Sequence, residues 1–252
     1  MAADAPRKIR YSVAMRGNRR LTFLGPGSPL SFPDPNDSDD EGLLAVGGDL
    51  SPERLLFAYD AGVFPWYSAG VPPLWWSPNP RALMDRERLH VSRSLRRTLR
   101  AGMFEVTFDT AFPEVITACA SNREGGTWIL PEMMLAYTQL HQLGHAHSFE
   151  VWHEGQLAGG LYGVRRGALF AAESMFHLVT DASKVALTVA LDTLFRAGIQ
   201  AFDVQFVTEH LASLGAYEVS RPEYLALVAR TTPCVVTKAA ITAALDGWSS
   251  RF

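Results

Sequence analysis

Hydrophobic periodicity becomes regular after Arg81. FEVTFDT (104–110) alternates apolar and polar positions, as a half-buried strand requires. AFPEVITACA (111–120) and PEMMLAYTQLHQLG (131–144) space their apolar residues as helices do, and Gly144 closes the second. Three alternating runs follow: HSFEVWH, QLAGGLYGV and ALFAAESMF. Short turns at Glu154-Gly155 and Arg165-Arg166-Gly167 join them, which predicts an antiparallel meander. ASKVALTVALDTLFRAG (182–198) predicts a long helix ending near Gly198, and AFDVQF (201–206) another strand. TEHLASLG, EYLALVAR and KAAITAALDGW predict short terminal helices.

The earlier part is less regular. A helix is expected from Ser51, with Ser as N-cap, Pro52 in the first helical position and Glu53 in the first turn; Gly62 stops it. FPWYSAGVPPLWWSPNPR (64–81) holds five prolines and three tryptophans, too broken for helix or strand. Residues 1–35 show no period, and about the first 30 are expected to lack order. The mixture predicts an α/β (α+β) fold: a small N-terminal domain over 1–80 and a larger domain over 81–252.

Composition narrows the class. Hydrophobic residues make up 48% of the 252 and charged residues 19%, which excludes a disordered or fibrous chain. No apolar run reaches the ~18 residues of a membrane-spanning helix. The first twenty residues are basic without an apolar stretch, unlike a secretory signal. Cys119 and Cys234 are too few for a disulfide framework or a zinc site, so a reducing cytoplasm is expected. The net charge of −3 implies no general attraction to nucleic acid. Local charge is uneven, however. Acids cluster at Asp34, Asp37, Asp39, Asp40 and Glu41, and arginines gather between Arg81 and Arg100. A helix over 92–101 puts Arg93, Arg96, Arg97 and Arg100 on one face, either a solvated stripe or a phosphate-neutralising one.

Among groups able to do chemistry, Asp203 and Gln205 share a strand face by alternation, with Phe202, Val204 and Phe206 opposite. That face is either solvated or a cleft in which Asp orients Gln or a substrate amine. Glu173 in AAESMF is an acid in an apolar strand, paired or functional. His141, His145 and His147 make no metal site, because Gly144 separates them and no acid or cysteine completes a ligand set. Cys119 is expected to be buried and inert. The phosphate loops G-x-G-x-x-G and Walker A are missing, as is the G-x-S-x-G elbow. Gly159-Gly160 within a strand marks a bulge or a close backbone approach.

Several long motifs then carry a resemblance. GLLAVGGDLSPERLLFAYDAGVFPWYS, WWSPNPRALM, GTWI (126–129), LGHAHSFEVW (143–152), GGLYGV (159–164), ESMF (173–176) and SLGA (213–216) occur in the order found in leucyl/phenylalanyl-tRNA–protein transferases. The likeness covers roughly residues 32–227. It implies an aminoacyltransferase with a GNAT-like (acetyltransferase-like) domain, whose mostly antiparallel sheet is flanked by helices. Such enzymes move Leu or Phe, and less often Met, from aminoacyl-tRNA to proteins beginning with Arg or Lys, marking them for N-degron degradation. No cofactor or metal is implied, and no membrane partner.

By the same resemblance, Asp203 and Gln205 are the catalytic pair. Trp66 and Trp128 lie near the terminal adenosine, where stacking contributes ~1–3 kcal/mol per base. Leu161, Phe170, Met175, Leu187 and Phe202 form the aminoacyl pocket, and Glu173 helps to hold the donor. Arg93, Arg96, Arg97 and Arg100 become tRNA-backbone contacts. Two departures stand out: Val204 replaces the usual Cys, and Phe202 a smaller aliphatic residue, which favours Leu over Phe as the donor. The rival expectations are an acetyltransferase using acyl-coenzyme A, opposed by the absence of a coenzyme A loop after AAESMF, and a non-catalytic tRNA-binding module.

Overall fold

The computed structural model describes residues 21–25, 27–121 and 127–252. The basic extension with Arg7, Lys8, Arg10, Arg16, Arg19 and Arg20, and the looseness expected of it, lie outside the described residues, as does Gly126 of GTWI. In chain order the elements are β1 (Thr22–Leu24), β2 (Leu43–Gly47), α1 (Pro52–Asp60), β3 (Phe64–Pro65), β4 (Leu74–Trp76), β5 (Arg81–Met84), α2 (Arg93–Arg100), β6 (Glu105–Phe108), α3 (Phe112–Ser121), α4 (Pro131–Gln142), β7 (Ala146–His153), β8 (Gln156–Arg166), β9 (Leu169–His177), α5 (Ala182–Arg196), β10 (Ala201–Gln205), α6 (Glu209–Ser213), β11 (Tyr217–Val219), α7 (Arg221–Thr231) and α8 (Lys238–Leu245).

The periodic segments form the elements they predict. The helix capped by Ser51 accepts the Arg54 N–H on the cap hydroxyl and stops before Gly62, whose φ of +75° suits a residue without Cβ. The segment rich in Pro and Trp departs from expectation: it holds the short strands β3 and β4, which with β1 and β2 make a four-stranded sheet ordered β1-β2-β4-β3. Two- and three-residue strands leave no period to read. Their places are held instead by indole donors, Trp75 Nε1 to the Gly47 carbonyl at 2.8 Å and Trp76 Nε1 to the Trp66 carbonyl at 2.6 Å. Pro65 is tolerated because β3 lies at the sheet edge.

The second sheet has seven strands in the order β11-β5-β10-β9-β8-β7-β6. All its neighbours are antiparallel except β9 and β10. Parallel neighbours require a crossover, and α5 supplies it. Alternation divides the side chains between two cores. Tyr162, Leu169, Ala171 and Ala201 join α3, α4 and the N-terminal sheet on one face. Leu161, Phe170, Phe202 and Val204 join α2, α5 and α8 on the other. Gly159 lets the start of α5 come close: a Cβ there would lie 2.7 Å from that of Ala182. No helix among the described residues is long and apolar enough to cross a membrane.

Candidate functional site

The site forms where β10 leaves β9. The two strands pair only at Ala201–Leu169, Phe202–Phe170 and Asp203–Ala171. Beyond that point β9 runs on to His177 without β10, and Ala172, Glu173, Ser174 and Met175 are each partly exposed between buried Ala171 and Phe176. On the other side, β10 shifts register against β5 between Asp203 and Gln205. Gln205 takes a left-handed φ of +58°, a conformation uncommon for a residue bearing a side chain.

This bulge corrects the alternation expected for AFDVQF. Asp203 points into the α3/α4 side, but Gln205 does not simply repeat its direction. Assigned from its hydrogen-bonding surroundings, the Gln205 amide directs its nitrogen to the Val204 carbonyl at 3.1 Å and the Ala172 carbonyl at 3.0 Å, with its oxygen turned away from both. Phe206 is also re-aimed. Instead of joining Phe202 and Val204 beneath the sheet, it meets Trp66 (ring centroids 5.8 Å) and Phe64 (6.1 Å) while staying 38% exposed.

Asp203 is fully buried, which excludes a solvated sheet face. Its Oδ1 accepts from Arg81 Nε (2.9 Å) and from the Gln205 backbone N–H (2.9 Å). Its Oδ2 accepts from Arg81 (2.6 Å) and the Tyr224 hydroxyl (2.8 Å). Arg81, grouped by sequence with the other arginines, is therefore not part of a surface cluster. It is 1% exposed, with its guanidinium over the Phe64 and Tyr224 rings at 4.7 and 4.3 Å.

Glu173 sits on the same face of the sheet. The Tyr59 hydroxyl donates to one carboxylate oxygen at 2.8 Å and the Tyr137 hydroxyl to the other at 3.3 Å; the two hydroxyls are 2.6 Å apart. Burial pushes the Glu173 carboxyl up to about 7, against the pull of Tyr59, with the nearby Asp203 charge adding to the rise. Burial and the same carboxylate hold the Tyr59 and Tyr137 hydroxyls well above the usual tyrosine range. In the unfolded chain Glu173 ionises near its ordinary value, so between roughly pH 4.5 and 7 the folded protein binds more protons. This contribution is present at the acid end and lost as pH rises. Glu173→Gln is expected to flatten the unligated protein's stability across that window by up to about 3 kcal/mol, read by urea denaturation at pH 5 and 7.5. Parallel stability–pH curves for the two proteins would refute this.

Trp66 and Trp128 are both partly exposed. Tyr67, beside Trp66, donates to Glu132 at 3.4 Å, and that bond ties the Trp66 segment to the chain just after Trp128. The five pocket residues are also brought together, but on the opposite face. Leu161 pairs with Met175 across β8 and β9, Phe170 lies 5.5 Å from Phe202 between ring centroids, and Leu187 rises from α5 into the same core. The pairing of β9 with β10 ends at Asp203–Ala171, between that face and the one carrying Glu173 and Asp203.

Arg93, Arg96, Arg97 and Arg100 line the exposed side of α2 around an open depression of about 400 Å³, with Leu95 and Leu99 buried beneath. Arg100 also donates to the Phe252 carbonyl. Two of the three histidines approach one carboxylate, His147 Nδ1 at 2.8 Å and His141 Nδ1 at 3.8 Å from Asp109, while His141 also stacks on Phe112 at 4.3 Å. Among the described residues no group of His, Cys, Asp and Glu is placed to hold a metal. Cys119 is buried in the core between α3 and the sheet.

Sequence reasoning missed Tyr59, Tyr137, Tyr224 and Phe206, and misassigned Arg81. For Arg81 a signal existed: it opens the apolar run RALM directly after a proline. The tyrosines sit in ordinary amphipathic helices and carried none.

Comparison with known proteins adds two family models, leucyl/phenylalanyl-tRNA protein transferase over residues 83–229 and its N-terminal domain over residues 48–79. Curated relatives bearing the name leucyl/phenylalanyl-tRNA–protein transferase include one from Anaeromyxobacter sp. (strain Fw109-5), 55% identical over 80% of this chain and 87% of that protein. Another, from Syntrophobacter fumaroxidans, is 54% identical over 82% and 90%. A third, from Escherichia coli O81, is 52% identical over 78% and 85%. Among solved structures, a GCN5-related N-acetyltransferase from Kribbella flavida aligns over 65% of this chain and 59% of that one, at 10% identity and a TM-score of 0.37, too distant a likeness to build on.

Proposed function

This chain belongs to the leucyl/phenylalanyl-tRNA–protein transferase family, and on that footing we propose that it moves Leu or Phe, and less readily Met, from aminoacyl-tRNA to the N-terminus of proteins beginning with Arg or Lys. It is an aminoacyltransferase. The product enters N-degron degradation, and the work takes place in the cytoplasm. Residues 1–80 act as a small domain that supplies Trp66, and residues 81–252 as the catalytic domain.

The observation that carries the site assignment is the polar group at the parting of β9 and β10, flanked by apolar side chains below and aromatic rings above. The donor's adenine stacks on Trp66 and Trp128. The aminoacyl side chain enters between the strands toward Met175, Leu161, Leu187, Phe170 and Phe202. An apolar pocket rejects charged side chains because their desolvation is costly. Phe202 narrows that space, so Leu is the better donor. Glu173 faces the donor's ammonium group, and a cation placed there brings its carboxyl back toward the ionised form.

The acceptor's amine attacks the ester carbonyl. A C–N bond forms, the C–O bond breaks, and the terminal ribose oxygen leaves with a proton that comes from the amine. Gln205 accepts a hydrogen bond from that amine through its amide oxygen, while Asp203 orients Gln205. With both its oxygens already engaged, Asp203 is better suited to orienting than to taking the proton. The ester is activated, and positioning alone can supply up to ~7–11 kcal/mol. The α2 arginines hold the tRNA backbone without reading its sequence.

Transfer of label from [³H]leucyl-tRNA to a peptide beginning with Arg is the test. Label should move to the free peptide and not to its N-acetylated form. The KM for tRNA should rise steeply with salt, and each Arg→Gln change at 93, 96, 97 or 100 should lower the log–log slope by up to about 0.9. If leucyl-tRNA binds and no label moves, a binding module is the better account.

A further inference from the structure

We infer that Arg81 and Tyr224 are positioning residues of this transferase: they clamp the Asp203 carboxylate, and through it they hold Gln205 in the left-handed turn that presents its amide. The inference rests on the transferase reading above and extends it to two side chains that touch neither substrate.

The geometry leaves Asp203 no freedom. Four donors converge on its two oxygens, two from Arg81, one from Tyr224 and one from the Gln205 backbone, at 2.6–2.9 Å. A carboxylate has about four acceptor sites, so this one is saturated. Three of those donors come from side chains far away in sequence, and their work is to fix the acceptor of the fourth. The fourth is the N–H of the residue at φ +58°, a conformation that persists in a residue bearing Cβ only where its surroundings over-determine it. The bond from Gln205 N–H to Asp203 is the local tie that does so, and its acceptor is only as well placed as the clamp.

The clamp is anchored on separate elements. Arg81 opens β5 and also reaches the Gly62 carbonyl at the end of α1, at 3.4 Å. Tyr224 stands in the first turns of α7, whose start is set by a reciprocal cap between Ser220 and Glu223. Burial holds the Tyr224 hydroxyl well above the ordinary tyrosine range, so it remains a donor at every working pH. Arg81 donates to it as well, at 3.2 Å, which orients the hydroxyl toward Asp203. A lysine at position 81 would keep the charge but lose the planar fork that matches both carboxylate oxygens.

The test is a kinetic double-mutant cycle between Tyr224→Phe and Gln205→Ala, read by the leucyl transfer assay. Tyr224→Phe removes two hydrogen bonds, the one it donates to Asp203 and the one it accepts from Arg81, and keeps the ring under Arg81. In the wild-type background it is expected to lower kcat about five- to tenfold, with the KM for each substrate changed less than about twofold. In the Gln205→Ala background the same change should cost less than about twofold, because the group it positions is gone. Arg81→Lys should lower kcat further than Tyr224→Phe in the first background. A structural role alone would lower the melting temperature equally in both backgrounds and leave the kcat of the folded enzyme unchanged; either an additive cycle or an unchanged kcat overturns the inference while leaving the transferase reading intact. A wild-type enzyme that transfers no label overturns both.

Discussion

Asp203→Ala is expected to cost about 3–5 kcal/mol of folding stability, more than any surface substitution in this chain. The loss comes less from the missing attraction than from what remains. Arg81 is 1% exposed and would keep its charge without the carboxylate that neutralises it, leaving only the Gly62 carbonyl and the Tyr224 hydroxyl to accept from it. Tyr224 would lose its acceptor, and so would the N–H of Gln205. Urea denaturation at neutral pH reads the effect. A control follows from the same reasoning: Arg81→Met combined with Asp203→Leu removes both charges and should recover more than half of the loss, because well-packed apolar groups can replace a buried ion pair at little cost. If Asp203→Ala lies within about 1 kcal/mol of wild type, water reaches Arg81 and the buried-pair description is wrong.

The second large effect is on rate. Gln205→Ala is expected to lower kcat for leucyl transfer by about 10²–10³-fold, the usual consequence of removing a preorganised polar group from a reacting centre. The KM for aminoacyl-tRNA should change less than about threefold, because in the function proposed above the grip on the donor belongs to Trp66, Trp128 and the α2 arginines. Stability should change little, since the backbone tie to Asp203 survives the substitution. Gln205→Glu should be almost as poor. A carboxylate cannot donate to the Val204 and Ala172 carbonyls that hold the amide, and its negative oxygens would be repelled by the partial negative charge of theirs. A Glu enzyme with wild-type kcat and an unaltered pH profile would remove the amide from the mechanism.

These two predictions separate roles that a reading of AFDVQF merges. Alternation along the strand places Asp203 and Gln205 side by side, which suggests direct contact between the side chains. The structure instead gives a chain of dependence. Asp203 is held by Arg81 and Tyr224, and Gln205 is held by its own N–H on Asp203. Substitution at 203 is therefore expected to show first in stability, and substitution at 205 in rate.

The sequence by itself determined most of what depends on neighbours within a few residues. The meander of β7, β8 and β9 follows from period-two alternation and short turns, and the arginine face of α2 from spacings of three and four. The cap at Ser51 is legible because a cap is a contact between residues three apart. The family motifs pointed to Glu173, Trp66 and Trp128 without showing what surrounds them. Only the tertiary structure decided which of these groups meet. Arg81 and Asp203 are 122 positions apart, and Tyr59 and Glu173 are 114 apart. No periodicity reaches that far, because periodicity records how one element faces its surroundings and not which element faces it. The bulge at Gln205 is hidden for the same reason. A left-handed residue without glycine breaks the local rule, and here Asp203, itself clamped by Arg81 and Tyr224, accepts its N–H.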